Sequence, residues 1–139
     1  MLKRVAFVAV LALPLVPTAA WAGHGKVGLW ETNTTVSMQG MPPQTHAATY
    51  CMTAAEVASD TPPASANNPC TYTNVSHAGN TITADMVCKG QMNGTGHFST
   101  TYDTDTHYTA NISIAMEGMT MTNTVEGRWL KADCAGAQH

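Results

Sequence analysis

Between residues 108 and 116 the even positions are apolar, Tyr108, Ala110, Ile112, Ile114 and Met116, while the odd ones carry Thr109, Asn111, Ser113 and Ala115. That alternation is the period of a β-strand with one buried face. If Glu117 and Gly118 make a two-residue hairpin turn, the following strand opposes it in the pairs Met116/Met119, Ile114/Met121, Ile112/Asn123, Ala110/Val125 and Tyr108/Gly127. A slip of one residue would turn Met119, Met121 and Val125 to the wet side, so the pattern predicts this register alone.

The alternation recurs at Ile82, Ala84, Met86 and Cys88, set against Thr81, Thr83 and Asp85 and preceded by the turn dipeptide Gly79-Asn80. It predicts a second hairpin over residues 70–88. Further strands are expected at 27–36, 45–52 and 96–102. They are joined by Met38-Gln39-Gly40-Met41-Pro42-Pro43, by residues 90–94 and by Asp103-Thr104-Asp105. Threonine is frequent in all of them, as strand surfaces favour. One short helix is expected at 53–60, where Thr53-Ala54-Ala55-Glu56 matches a capping box and Pro62-Pro63 forbids continuation past Asp60. A loop over 61–69 follows. About seven short strands with regularly spaced turns predict a mostly β fold, an antiparallel meander curled into a barrel or a strongly bent sheet.

The first 22 residues break this pattern. Lys3 and Arg4 precede a stretch from 5 to 16 without charge, and Ala20-Trp21-Ala22 supplies a small-x-small cleavage site, the three parts of a secretory signal peptide. A stretch of 12 residues interrupted by Pro14 falls short of the roughly 20 that cross a bilayer. The expected product is a single β-rich domain over 23–139 in the periplasm or outside the cell, with no membrane span. It keeps Lys26, Lys89, Arg128 and Lys131 against nine acids, a formal charge of −5. Four scattered cations offer no basic face for nucleic acid or an anionic membrane.

Export changes the meaning of Cys51, Cys70, Cys88 and Cys134: an even count in an exported domain predicts two disulfides. No C-x-x-C pair or close Cys/His clustering supports a metal site instead. Of the three connectivities, Cys51–Cys70 with Cys88–Cys134 is favoured, because the first would clip the 61–69 loop and the second would tie the last strand to a central one. Cys70–Cys88 stays open, since a three-residue turn at Ala78-Gly79-Asn80 would set these two opposite one another.

Candidate chemistry is sparse. Eight methionines lie after the signal, and Met38-Gln39-Gly40-Met41 and Met116-Glu117-Gly118-Met119-Thr120-Met121 each place thioethers around a glycine turn. Thioether sulfur selects Cu(I), so Met38, Met41, Met116, Met119 and Met121, with His24 as an imidazole donor, form a candidate copper site. Met116, Met119 and Met121 also fall on the buried face of the hairpin, where methionine ordinarily fills core gaps. His24, His46, His77, His97, His107 and His139 show no metal-binding spacing, and no nucleophile elbow, phosphate loop or carboxylate pair appears. No catalytic residue is predicted, and an enzyme is not expected. Asn33, Asn74, Asn93 and Asn111 begin N-x-S/T triplets, which arise readily in a threonine-rich chain.

Three segments carry a resemblance: Gly28-Leu29-Trp30-Glu31, Cys51-Met52-Thr53-Ala54-Ala55-Glu56, and Gly127-Arg128-Trp129 through Asp133-Cys134. With the Met-Gly-Met-Pro loop and the Met-Glu-Gly hairpin they resemble domain-of-unknown-function family thirty-six-seventeen, small exported bacterial proteins. The resemblance implies a periplasmic address and a β-rich fold, with no activity attached. The expected function is a non-enzymatic binding or interaction module for an apolar ligand or an envelope partner, without a cofactor; the alternative is a copper-binding protein.

Overall fold

The computed structural model describes residues 25–59, 69–90 and 93–137. The signal peptide and its cut at Ala22, His24, the last residue of the expected helix, Asp60, and residues 61–68 of the expected loop lie outside the described residues. In chain order the elements are β1 (Gly28–Met38), β2 (Gln44–Met52), α1 (Ala54–Ser59), β3 (Cys70–Ala78), β4 (Thr81–Cys88), β5 (Gly94–Thr104), β6 (His107–Met116) and β7 (Met119–Lys131).

All seven strands form one antiparallel sheet in the order β2-β1-β7-β6-β5-β4-β3. Strands β3 to β7 are the expected meander. Strand β1 then lies along β7, and β2 turns back to the outside. The sheet is not closed into a barrel: β2 and β3 stand at its two edges. Neither edge presents an apolar stripe for the other, since Gln44 to Ala48 are exposed on both faces of β2 and Thr73 to Ala78 are exposed along β3.

The β6–β7 hairpin adopts the predicted register pair for pair, from Met116 opposite Met119 to Tyr108 opposite Gly127. Gly118 takes φ 77°, the left-handed conformation that such a turn requires and a glycine adopts without strain. Away from the bulges the register is continuous, and rows run across β1, β7, β6, β5 and β4. Val36, Asn123, Ile112, Phe98 and Ala84 form one row, and the displaced row of Thr35, Thr124, Asn111, Ser99 and Thr83 faces the other way. The first face holds the core, with Ile82, Ala84, Met86, Phe98, Ala110 and Ile114 each at most 7% exposed. The second face is hydroxyl-rich, with Thr35 and Thr45 3.1 Å apart and Thr81 and Thr101 2.9 Å apart across paired strands.

The short helix begins as its capping box predicts. Thr53 N–H donates to the Glu56 carboxylate at 2.6 Å, and Glu56 N–H donates to Thr53 Oγ1 at 3.3 Å. Through Val57 the helix packs on the core.

The disulfides correct the favoured pairing: Cys51 joins Cys134 and Cys70 joins Cys88. The β3–β4 turn has two residues, Gly79 and Asn80, instead of three, which alone would leave Cys70 one residue out of step. A bulge at Asn74 and Val75, with Asn74 at φ 52° and its side-chain amide donating to Asp85 at 2.8 Å, restores the step and sets Cys70 opposite Cys88. Cys51 lies on β2 and Cys134 follows β7, with β1 between the two strands, so this bridge fastens the edge hairpin to the rest of the sheet.

Peptide mapping without reduction is expected to recover Cys51 linked to Cys134 and Cys70 linked to Cys88. Loop-closure entropy over separations of 83 and 18 residues makes loss of the first bridge cost about 4.5 kcal/mol and loss of the second about 3, so C51S/C134S should lie below C70S/C88S in denaturant midpoint. A Cβ on Gly127 would stand inside the ring of Tyr108, and Gly127→Ala should therefore destabilise by about 1–3 kcal/mol, read by urea unfolding.

Candidate functional site

The apolar face has two chemically different ends. Near the start of β1 it is aromatic. Trp30 is wholly buried, its ring 5.4 Å from that of Tyr108, which lies 5.4 Å from that of Tyr102. Tyr50 lies opposite Trp30 on β1 and Tyr108 opposite Gly127 on β7, and the two tyrosine hydroxyls approach to 3.4 Å. Burial pushes both phenols up, Tyr50 further because Tyr108 also crowds it, so both stay neutral hydrogen-bonding groups.

The segment before β1 closes this end. Lys26 N–H donates to the Asp105 carbonyl at 3.0 Å, and the Lys26 ammonium lies 3.2 Å from the Asp105 carboxylate. Trp30 Nε1 donates to the Lys26 carbonyl at 2.8 Å and Trp129 Nε1 to the Val27 carbonyl at 3.2 Å. Each tryptophan thereby satisfies its polar atom while its ring covers apolar neighbours.

The opposite end is methionine. Met38 is opposite Met121 across β1 and β7, and Met119 is opposite Met116 across β7 and β6. The β1–β2 turn that follows Met38 continues beside the Glu117–Gly118 turn, with Met41 N–H donating to the Met38 carbonyl at 3.1 Å. Met121 is buried, Met38 and Met116 are half-buried, and Met119 and Met41 are 46% and 49% exposed. The two methionine segments, remote in sequence, therefore meet at one end of the sheet. Met38 belongs to β1 and not to the proline-rich loop in which the sequence placed it, because β1 runs on past Val36 to pair with Met121. Met119 has the predicted facing but lies where the sheet ends, so little covers it. Among the described residues, no group of three or more His, Cys, Asp or Glu is placed to hold a metal ion.

Between these ends lies Asn123. Its Oδ1 is buried without a hydrogen-bond partner among the described residues, and its cross-strand neighbours are Val36 and Ile112. An unpaired buried amide oxygen costs about 1–3 kcal/mol. The hairpin register placed Asn123 on this face, yet its functional interest was missed; the legible signal was a lone amide in an otherwise apolar row.

On the hydroxyl-rich face His107 joins the β5–β6 turn to β7. Its Nδ1 is 2.5 Å from Asp103 Oδ1 and its Nε2 is 3.1 Å from Glu126 Oε1, which also accepts from Arg128 at 2.7 Å. The Asp103 and Glu126 hydrogen bonds raise the His107 pKa, and in return hold both carboxyls below the usual carboxylate range. Imidazolium alone can donate from both nitrogens at once. A raised histidine pKa adds stability that is complete below the unfolded value of about 6.5 and fades as pH rises through the folded one; the depressed carboxyls add stability that fades as pH falls through theirs. His107→Gln should accordingly lower the melting temperature at pH 5.5 and much less at pH 8.5. An equal loss at both would place the effect in packing.

No helix among the described residues is long and apolar enough to cross a membrane. No curated protein and no solved structure matches the chain. A family model described as Protein of unknown function (DUF3617) matches residues 25–134, which takes in every strand, the helix and all four cysteines. With that match over most of its length, the chain belongs to the DUF3617 family of proteins of unknown function.

Proposed function

We propose that this protein is a non-enzymatic binding module of an oxidising exported compartment, the periplasm, whose apolar sheet face receives a small apolar ligand bearing one hydrogen-bonding group. The observation that carries the reading is Asn123, whose unpaired buried oxygen sits in the middle of an apolar face. Protein interiors seldom leave such an atom without a partner, and a ligand hydroxyl or amide N–H would supply it. Around it Val36, Ile112 and Val125 are only half-buried, while Gln44, His46 and Ala48 on the neighbouring edge strand are exposed. Apolar lining with few polar groups is the usual character of a small-molecule site. The aromatic end serves as its floor and the methionine end as its mouth. The two disulfides suit the exported address, since cytosolic thiols are kept reduced.

Native mass spectrometry and solvent extraction of protein purified from the periplasm are expected to recover a bound small molecule. The emptied protein should take up a fluorescent apolar probe, N-phenyl-1-naphthylamine, at one equivalent. Val125→Trp should abolish that uptake by filling the face. Asn123→Leu should stabilise the empty protein by about 1 kcal/mol, because an apolar group of similar size replaces an unsatisfied one, and should weaken a hydroxyl-bearing probe, 1-naphthol, relative to naphthalene. Protein that is consistently empty and takes up no probe overturns the reading.

A further inference from the structure

We propose that the methionine end is a Cu(I) site built from the thioethers of Met38, Met116, Met119 and Met121, with Met41 at its rim. The proposal stands on the convergence of two separate segments and does not depend on the apolar-ligand reading.

Strand pairing sets the geometry. Met38 faces Met121, Met119 faces Met116, and Met119 and Met121 are alternate residues of β7 on one face. Side chains directly opposite in an antiparallel pair have Cβ atoms about 5 Å apart, and alternate residues of a strand are about 7 Å apart. Three rotatable bonds allow each thioether to reach a common centre from such positions. Core packing accounts for Met121, which is buried, but not for Met119 and Met41, which leave large apolar side chains nearly half exposed. The charge of the surroundings also suits a cation. Residues 36–44 and 112–124, which carry these methionines, contain no lysine or arginine, and their one charged side chain is the exposed Glu117; the exposed Lys89, just past the end of β4, stands two strands away from Met116.

The chemistry selects the metal. Uncharged thioether sulfur is a soft donor that favours Cu(I) over the harder divalent ions. All four cysteines are in disulfides, so no thiolate competes for the metal. A thioether has no proton to lose in this pH range, so binding should change little between pH 5 and 8, unlike capture by histidine. Copper is taken up and released as Cu(I), with no change of oxidation state.

The test uses the disulfide-intact protein, with free thiols counted as zero. Under anaerobic conditions with ascorbate, Cu(I) alone is titrated against the chromogenic chelator bathocuproine disulfonate at pH 5 and pH 8. One equivalent is expected to bind with similar affinity at both, with Zn(II) unbound. Met38→Leu and Met119→Leu should each weaken binding at least tenfold, whereas Met52→Leu, at the aromatic end, should not change it. Leucine is close in volume to methionine and keeps the face apolar, so these variants remove the sulfur donors without emptying the face. Val125→Trp, which blocks probe uptake and leaves every methionine in place, should bind Cu(I) with wild-type affinity, which separates failure of the copper site from failure of the ligand reading. In the wild-type protein labelled with 13C at the methionine methyls, Cu(I) should shift the resonances of Met38, Met116, Met119 and Met121 and leave Met52 in place. Wild-type affinity in the leucine variants, a tenfold loss of affinity from pH 8 to pH 5, or unmoved methyl resonances would each overturn the proposal.

Discussion

The structure depends on the pairing of β1 with β7. Without it the chain would be a five-stranded meander and a detached hairpin; with it, backbone pairs running from Leu29 opposite Lys131 to Met38 opposite Met121 weld the two into one sheet. The same ladder sets Trp30 beside Trp129 at one end and Met38 beside Met121 at the other. Both chemically distinct ends of the apolar face thus come from a contact between residues about 90 positions apart, whose chain-closure cost is met by the extended apolar surface the pairing covers.

Local pattern was enough for much of the fold. The Glu117–Gly118 hairpin was legible to the residue because only one register turns Met121 and Val125 to the core face while exposing Thr120, Thr122 and Thr124. The helix start was legible because Thr53 and Glu56 satisfy each other's backbone N–H groups. What was not legible was non-local. Nothing in the pattern of residues 27–36 says which strand lies beside it, so the meeting of Met38 with Met121 could not be read. The open edges were hidden as well, since an alternating strand looks the same whether its outer side is paired or bare.

The favoured cysteine pairing failed because the 61–69 loop gave a local reason to join Cys51 to Cys70, while the approach of Cys134 to Cys51 rests on the non-local pairing of β1 with β7; the Cys70–Cys88 alternative came out right by another turn. A turn of three residues and a turn of two with a bulge produce the same opposition of Cys70 and Cys88, and Asn74 carries the extra residue that the turn lacks. Sequence shows the turn dipeptide plainly and the bulge hardly at all, because asparagine tolerates the left-handed conformation without being reserved for it. The candidate site was legible in the same partial way. The register placed Met116, Met119, Met121 and Asn123 on one face, but which of them are covered, and which left without a partner, depends on where the sheet ends.

The pairing of Cys51 with Cys134 around Cys70–Cys88 makes the two bridges nested, first with last and second with third. In the exported setting proposed above, a chain threaded N-terminus first presents Cys51 and Cys70 to an oxidant before Cys134. An oxidant acting in order of arrival would join those two, and Cys70 would then be denied to Cys88. Reaching the native arrangement requires that link to be broken by attack of another thiolate, a step that oxidation alone does not perform. In that setting the order of cysteines along this chain would tie its maturation to the capacity for thiol–disulfide exchange, a demand invisible in the finished molecule.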